Sequence, residues 1–178
     1  MGIEIPQNKF LILDGAMGTV LQQRGLSPQG RPELLNLTEP ELLDSVYKEY
    51  IAAGSQVIYA NTFGANGLKL AKTGHSVEEV VGAAIAVAKK AAAGTGTLVA
   101  LDVGPLGELL EPMGTLSFER AYDLFREMAE AGAKAGADLI VVETMTDLYE
   151  AKAALLAAKG LEPGAASVDW QAYAQQQD

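Results

Sequence analysis

Cysteine is absent from this chain of 178 residues, and histidine and tryptophan each occur once. Without thiols there is no disulfide framework, no thiolate-held metal and no cysteine nucleophile. The lone His75 leaves little from which to build a multi-histidine metal site or a Ser-His-Asp triad. It stands just before a helix-starting Ser76, where a solvated loop histidine is the expectation. Basic residues are also scarce. Lys and Arg number 13 against 23 Asp and Glu, so the net charge is −10, which opposes nonspecific nucleic-acid binding. No apolar run approaches the roughly 18 residues needed to cross a membrane, so no membrane association is expected. The opening MGIEIPQNKF has no basic segment followed by an apolar stretch. No signal peptide is therefore expected, and the cytoplasm is the expected location.

Apolar residues, by contrast, are plentiful. They make up 49% of the chain, with 20% charged, which suits one folded core better than two domains or a disordered segment. Four short apolar runs each end in a polar residue. They are Phe10 to Leu13 before Asp14, Gln56 to Ala60 before Asn61, Leu98 to Leu101 before Asp102, and Asp138 to Val142 before Glu143. The runs are nearly continuous rather than alternating, as expected of strands buried on both faces of a parallel sheet.

Helical patterns lie between them. One begins near Thr19. A second is expected from Thr38, as N-cap, to Gly54, with Pro40 in its first turn. Ser76-Val77-Glu78-Glu79 is a capping box for a helix to about Ala93. Ser117 opens another, and a last one spans about Thr146 to Lys159. The reading is α/β, with about four βα units in right-handed crossover order. It divides the chain into a domain over 1–159 and an irregular, poorly ordered tail over 160–178 that offers no further strand.

Ligands of parallel βα architectures bind where the loops after the strands converge. Asp14, Asn61, Asp102 and Glu143 are expected at that end. Any one of them is explained equally well as a loop cap. Together they make buried carboxylates that need a neutralising cation, such as an amine. Asp14-Gly15-Ala16-Met17-Gly18-Thr19 adds small residues at a helix start, suited to an anion held by backbone N–H groups. It matches neither nucleotide-binding glycine pattern. An anion site beside carboxylates points to a zwitterion, an α-amino acid.

Five segments carry a family resemblance: 13–25 (LDGAMGTVLQQRG), 32–43 (PELLNLTEPELL), 53–66 (AGSQVIYANTFGAN), 102–125 (DVGPLGELLEPMGTLSFERAYDLF) and 136–159 (GADLIVVETMTDLYEAKAALLAAK). Together they resemble the homocysteine S-methyltransferase family, on the side of the homocysteine-binding modules of cobalamin-dependent methionine synthases. The resemblance covers roughly residues 8–159. It implies the N-terminal half of a (β/α)8 barrel and methyl transfer to the thiol of homocysteine. It also implies a zinc ion held by three cysteines. Methylcobalamin is possible as donor through other domains.

Carried onto this chain, the resemblance implies that backbone N–H groups of Asp14, Gly15, Ala16 and Met17 hold the substrate carboxylate. Glu143, with Asp14 nearby, would hold the ammonium, and Asn61 and Thr62 would line the same pocket. Asp102 joins the substrate-binding set from its strand-end position, with no catalytic or metal-ligating residue assigned.

The departure is the cysteines. The zinc-bearing half of a barrel of about 250 residues is not matched here, so the chain is expected to be truncated and doubtful as an enzyme alone. An apolar barrel interior and open edges would then favour self-association or a complementary half-barrel chain. The alternative is a non-catalytic amino-acid-binding module. A metal-free carboxylate enzyme is a third reading.

Overall fold

The computed structural model describes residues 10–27 and 30–160, and the backbone of 166–167. The nine residues before Phe10, and Trp170 and Tyr173 of the tail, lie outside the described residues. Among the described residues, four strands form one parallel sheet in the order β1-β2-β3-β4: β1 (Val57–Tyr59), β2 (Leu98–Val103), β3 (Leu139–Val142) and β4 (Ala166–Ser167). Val57 sits opposite Leu98, Ala100 opposite Leu139, and Leu139 opposite Ala166. Spatial order that follows chain order, with every pair parallel, requires a crossover between successive strands.

Two expectations are corrected here. The first expected strand is reduced to a single parallel bridge, Leu13 to Val57. Ile12 O accepts from both Gln56 N (2.7 Å) and Val57 N (3.2 Å), and Asp14 N donates to Val57 O (3.0 Å). The segment thus lies along β1 but leaves Phe10, Ile12 and Leu13 exposed, because it is the outermost element of that edge. The tail, expected to contain no strand, supplies β4. Two residues suffice for pairing because the ladder bonds are made by backbone atoms, without any apolar run.

The crossovers are helical: α3 (Pro40–Ala52), α5 (Val77–Ala92), α6 (Phe118–Ala135) and α7 (Leu148–Lys159). Short helices α1 (Met17–Gln23), α2 (Leu35–Thr38) and α4 (Gly67–Leu70) sit in the loops. Their ends follow from side chains. Ser76 Oγ accepts from Glu79 N (3.1 Å) and Ser117 Oγ from Arg120 N (3.2 Å), the caps expected from the pattern. Gly136, at φ 88°, ends α6 in the left-handed conformation that glycine adopts without strain.

Thr38 is not a cap. It closes α2, its hydroxyl donating to Leu34 O (3.2 Å), and Glu39 precedes α3 without a side-chain cap. The last helix begins at Leu148, close to the expected start near Thr146, and ends at Lys159 as expected. Asp147 caps it, accepting from Tyr149 N (2.7 Å) and Glu150 N (3.4 Å). Replacing it, Asp147→Ala, should cost about 1 kcal/mol by thermal denaturation. An unchanged midpoint would show that the cap contributes nothing.

The sheet has two unlike faces. Ile58, Val99, Leu101 and Ile140 join the large core under the helices, with Leu124, Phe125 and Met128 of α6. Alternation then sends Val57, Ala100, Leu139 and Val141 to the opposite face, where Leu11, Tyr59 and Leu98 pack against them. Val57, Ala100, Leu139 and Val141 are buried, none more than 8% exposed, and Leu11, Tyr59 and Leu98 are half-buried. The side chains of this face are no larger than leucine apart from Tyr59, and Leu11, Tyr59 and Leu98 flank its centre. The exposed apolar groups of this sheet lie along the edge, with Phe10 at 96%.

Candidate functional site

The same alternation that fills the inner face also ends it. Continuing by twos, Val57 leads to Tyr59, Leu98 and Ala100 to Asp102, and Leu139 and Val141 to Glu143. Polar groups thus occupy the C-terminal end of the inner face. The chain leaving the edge segment adds Asp14 and the first turn of α1. Together they enclose a hollow of about 460 Å³. Of the sequence-expected residues, Asp14, Gly15, Ala16, Met17, Asn61, Asp102 and Glu143 line it.

Thr62 does not line the hollow. Its buried hydroxyl donates to Asp102 O (2.8 Å) and accepts from Asp102 N (3.0 Å), stapling the end of β2 to the loop after β1. Asn61 lines the hollow but is held by scaffold. Its side-chain nitrogen donates to Pro32 O (2.6 Å), its backbone N to Tyr47 Oη (2.9 Å), and its O accepts from Asn36 (2.8 Å).

Lining residues not expected from sequence include Glu33, Tyr59 and Phe63. Tyr59 was legible in principle, since it shares strand parity with Val57. Glu33 comes from a 3-10 turn, Pro32–Leu34, too short to leave a periodic signal. Phe63 is placed by tertiary contacts: Lys69 Nζ lies 5.5 Å from its ring centroid and donates to Pro105 O (2.9 Å).

The electrostatics of the hollow are one-sided. Asp14 Oδ2 accepts from Tyr59 N (3.0 Å), yet Asp14 Oδ1 is buried without a partner, and so is Asp102 Oδ1. A buried acceptor left unpaired raises the cost of its charge. Burial, aided by the Glu143 charge, pushes the Asp14 carboxyl from the ordinary 3.8 up to about 7. Burial, then the charges of Glu143, Asp14 and Glu33, push Asp102 up to about 8. Tyr59 rises to about 12, chiefly by burial. Among the described residues the lining contains no lysine, arginine or histidine. The hollow is therefore short of positive charge, and a cationic group of a ligand fits it.

A metal site does not fit. The chain has 0 Cys, and among the described residues no group of three or more His, Asp or Glu is arranged to hold a metal ion.

Comparison with known proteins gives a consistent set of matches. A family model described as homocysteine S-methyltransferase matches residues 11–175, reaching beyond 159 into the tail. The methionine synthase of Mycobacterium tuberculosis (strain ATCC 25618 / H37Rv) is 31% identical over 172 residues, covering 88% of this chain and 14% of that protein. That of Mycobacterium leprae (strain TN) is 30% identical with the same coverage. Among solved structures, the homocysteine methyltransferase MmuM from Escherichia coli superimposes with a TM-score of 0.78 in both its oxidized and metallated forms, at 29% and 28% identity. The match covers 90% of this chain and 61% or 62% of the MmuM chain. The chain thus spans a small part of the methionine synthases it matches and about three-fifths of MmuM.

Proposed function

This chain belongs to the homocysteine S-methyltransferase family, and on that premise we propose that it carries the amino-acid-binding part of a domain that transfers a methyl group to the homocysteine thiol. The parallel sheet with helices over one face is read as part of a (β/α)8 barrel. The observation that carries the binding role is the hollow itself, where Asp14, Asp102 and Glu143 meet the start of α1. The first N–H groups of a helix have no intrahelical acceptor, so those at Met17 and beside it suit a carboxylate. Asp14 and Glu143 suit the ammonium, with Asn61 and the wall at Phe63 setting the space left for the side chain. Zwitterion capture at this end leaves the sulfur to be presented along the hollow.

The thiol of free homocysteine is mostly protonated at neutral pH. No side chain here is a thiolate ligand, since the chain has 0 Cys, so no step is assigned to a metal. We expect this chain alone to bind homocysteine and to transfer no methyl group. A complementary half-barrel chain or self-association, covering the edge at Phe10, Ile12 and Leu13, would accompany catalysis.

The test is titration calorimetry with L-homocysteine, alongside a methionine-formation assay. Binding that is weakened at least about tenfold by Glu143→Gln, without turnover, is the expected result. Absence of heat at millimolar ligand would remove the binding role, and robust methionine formation would remove the expectation of inactivity. A second reading, a non-catalytic amino-acid-binding module, is favoured by that combination of an intact hollow and 0 Cys. A coexpressed cysteine-bearing partner that restores turnover separates the two.

A further inference from the structure

Two carboxyl oxygens in the hollow have no hydrogen-bond partner although both are buried, Asp14 Oδ1 and Asp102 Oδ1. Asp102 is only 7% exposed, and its neighbours explain why it is awkward as a bare charge. Asp14 precedes α1, Glu33 lies in the 3-10 turn, Tyr59 ends β1, Tyr47 reaches in from α3, and Glu143 follows β3. None of these can supply a positive charge. The backbone that carries this carboxyl is held firmly, because Thr62 Oγ1 bonds both Asp102 N and Asp102 O. A buried acceptor on so fixed a backbone, with no partner among the described residues, suits a donor that arrives with a ligand.

An ammonium has three N–H donors, and of the four carboxyl groups that line the hollow, Asp14, Asp102 and Glu143 stand where the sheet ends, with Glu33 in the 3-10 turn beside them. We propose that Asp102 is a third contact for the ammonium of the amino-acid substrate, and that it releases its proton to solvent as that group binds. This rests on the amino-acid reading above and deepens it. The balance is simple. A neutral Asp102 carboxyl and an ammonium become a carboxylate–ammonium pair plus one free proton, and the ammonium keeps all three of its own. Protonation before binding spares the hollow a further buried negative charge. Ionisation on binding supplies a charge-assisted hydrogen bond. Thr62 is then a positioning residue, acting on the ligand through Asp102.

The probe is L-methionine, whose thioether has no proton to lose, and Asp102→Asn separates a proton released by the carboxyl from one released by the ligand's ammonium. Calorimetry of the full chain near pH 7, in buffers of different ionisation enthalpy, should report release of about one proton per ligand. Affinity should rise at least about tenfold from pH 6 to pH 8. The des-amino analogue 4-(methylthio)butyrate should release none. In Asp102→Asn the release should fall by more than half and the pH dependence should flatten. Methionine binding without proton release, or an unchanged release in Asp102→Asn, overturns the proposal while leaving the amino-acid reading intact. Failure of methionine and homocysteine alike to bind at millimolar concentration overturns both. Where the variant does not fold, the wild-type buffer series decides alone.

Discussion

Raising the pH from about 5 to about 8 is expected to lower the thermal midpoint of this chain by on the order of 10 °C. The sign follows from the two buried acids. An unfolded Asp ionises near 3.8, whereas the folded Asp14 and Asp102 carboxyls ionise at about 7 and about 8. Between those values the folded state holds protons that the unfolded state has already lost. Stability therefore falls with rising pH, by about 1.4 kcal/mol per unit for each such group, and levels off above about pH 8. Asp102 dominates because it is the more buried and titrates last.

Most surface ion pairs do not mask the effect. Pairs such as Lys134–Glu78 and Lys90–Glu41 are made by exposed groups, which contribute little. In Glu78 the pairing pushes the carboxyl down, so any stability it adds is already present above its unfolded pKa and does not change across this window. Asp102→Asn should remove most of the slope and raise the midpoint at pH 8, since an amide has no charge to bury. A midpoint that is flat or rises between pH 5 and pH 8 would mean that these carboxyls are solvated in the folded chain. Saturating methionine should restore stability at the alkaline end, because the ligand's ammonium offsets the charge that folding buries.

Much of this arrangement was legible in the amino-acid order, and the parts that were not share a cause. The runs at Val57, Leu98 and Leu139 read as strands because they must be apolar on both faces. The Ser76 and Ser117 caps read as helix starts because their chemistry is local. The strand-end polar residues Asp14, Asn61, Asp102 and Glu143 came together around one hollow, since a parallel sheet aligns its C-terminal ends. Thr62 was misplaced because its neighbour Asn61 does line the hollow. Successive residues diverge at a strand end, and only the fold shows which one turns inward.

The edge segment 10–13 was overread as a full strand. Its composition is strand-like, but pairing depends on a neighbour, and only Leu13 finds one across the bridge to Val57. The β4 pairing was missed for the converse reason: Ala166 and Ser167 carry no apolar signal, and their place is set by backbone bonding to Leu139 and Ile140. Glu33 and Phe63 entered the hollow from short turns and loops, where tertiary contacts override any periodic pattern.

Phe63 is also where a single methyl group should matter most for the site. Gly104 follows β2 and packs flat against the Phe63 ring. A Cβ built on Gly104 would stand 2.7 Å from Phe63 Cζ and closer still to its Cδ2 and Cε2, well inside contact distance. The backbone at Gly104 is not in the left-handed region, so Gly104→Ala introduces crowding without backbone strain. Backbone here cannot retreat easily, since Gly104 N donates to Phe63 O (3.3 Å) and Lys69 holds Pro105 O next door. The ring is the softer partner, and it borders the hollow.

Gly104→Ala should therefore cost about 1–3 kcal/mol by overpacking and push the ring toward the ligand space, weakening amino-acid binding about tenfold or more. Gly104→Ala combined with Phe63→Ala tests the cause. If the clash is responsible, the second change relieves the first, and the pair is more stable than the sum of the two single losses implies. Strict additivity, or a Gly104→Ala chain that melts and binds methionine as the parent does, would show that Phe63 is not held against Gly104 in solution.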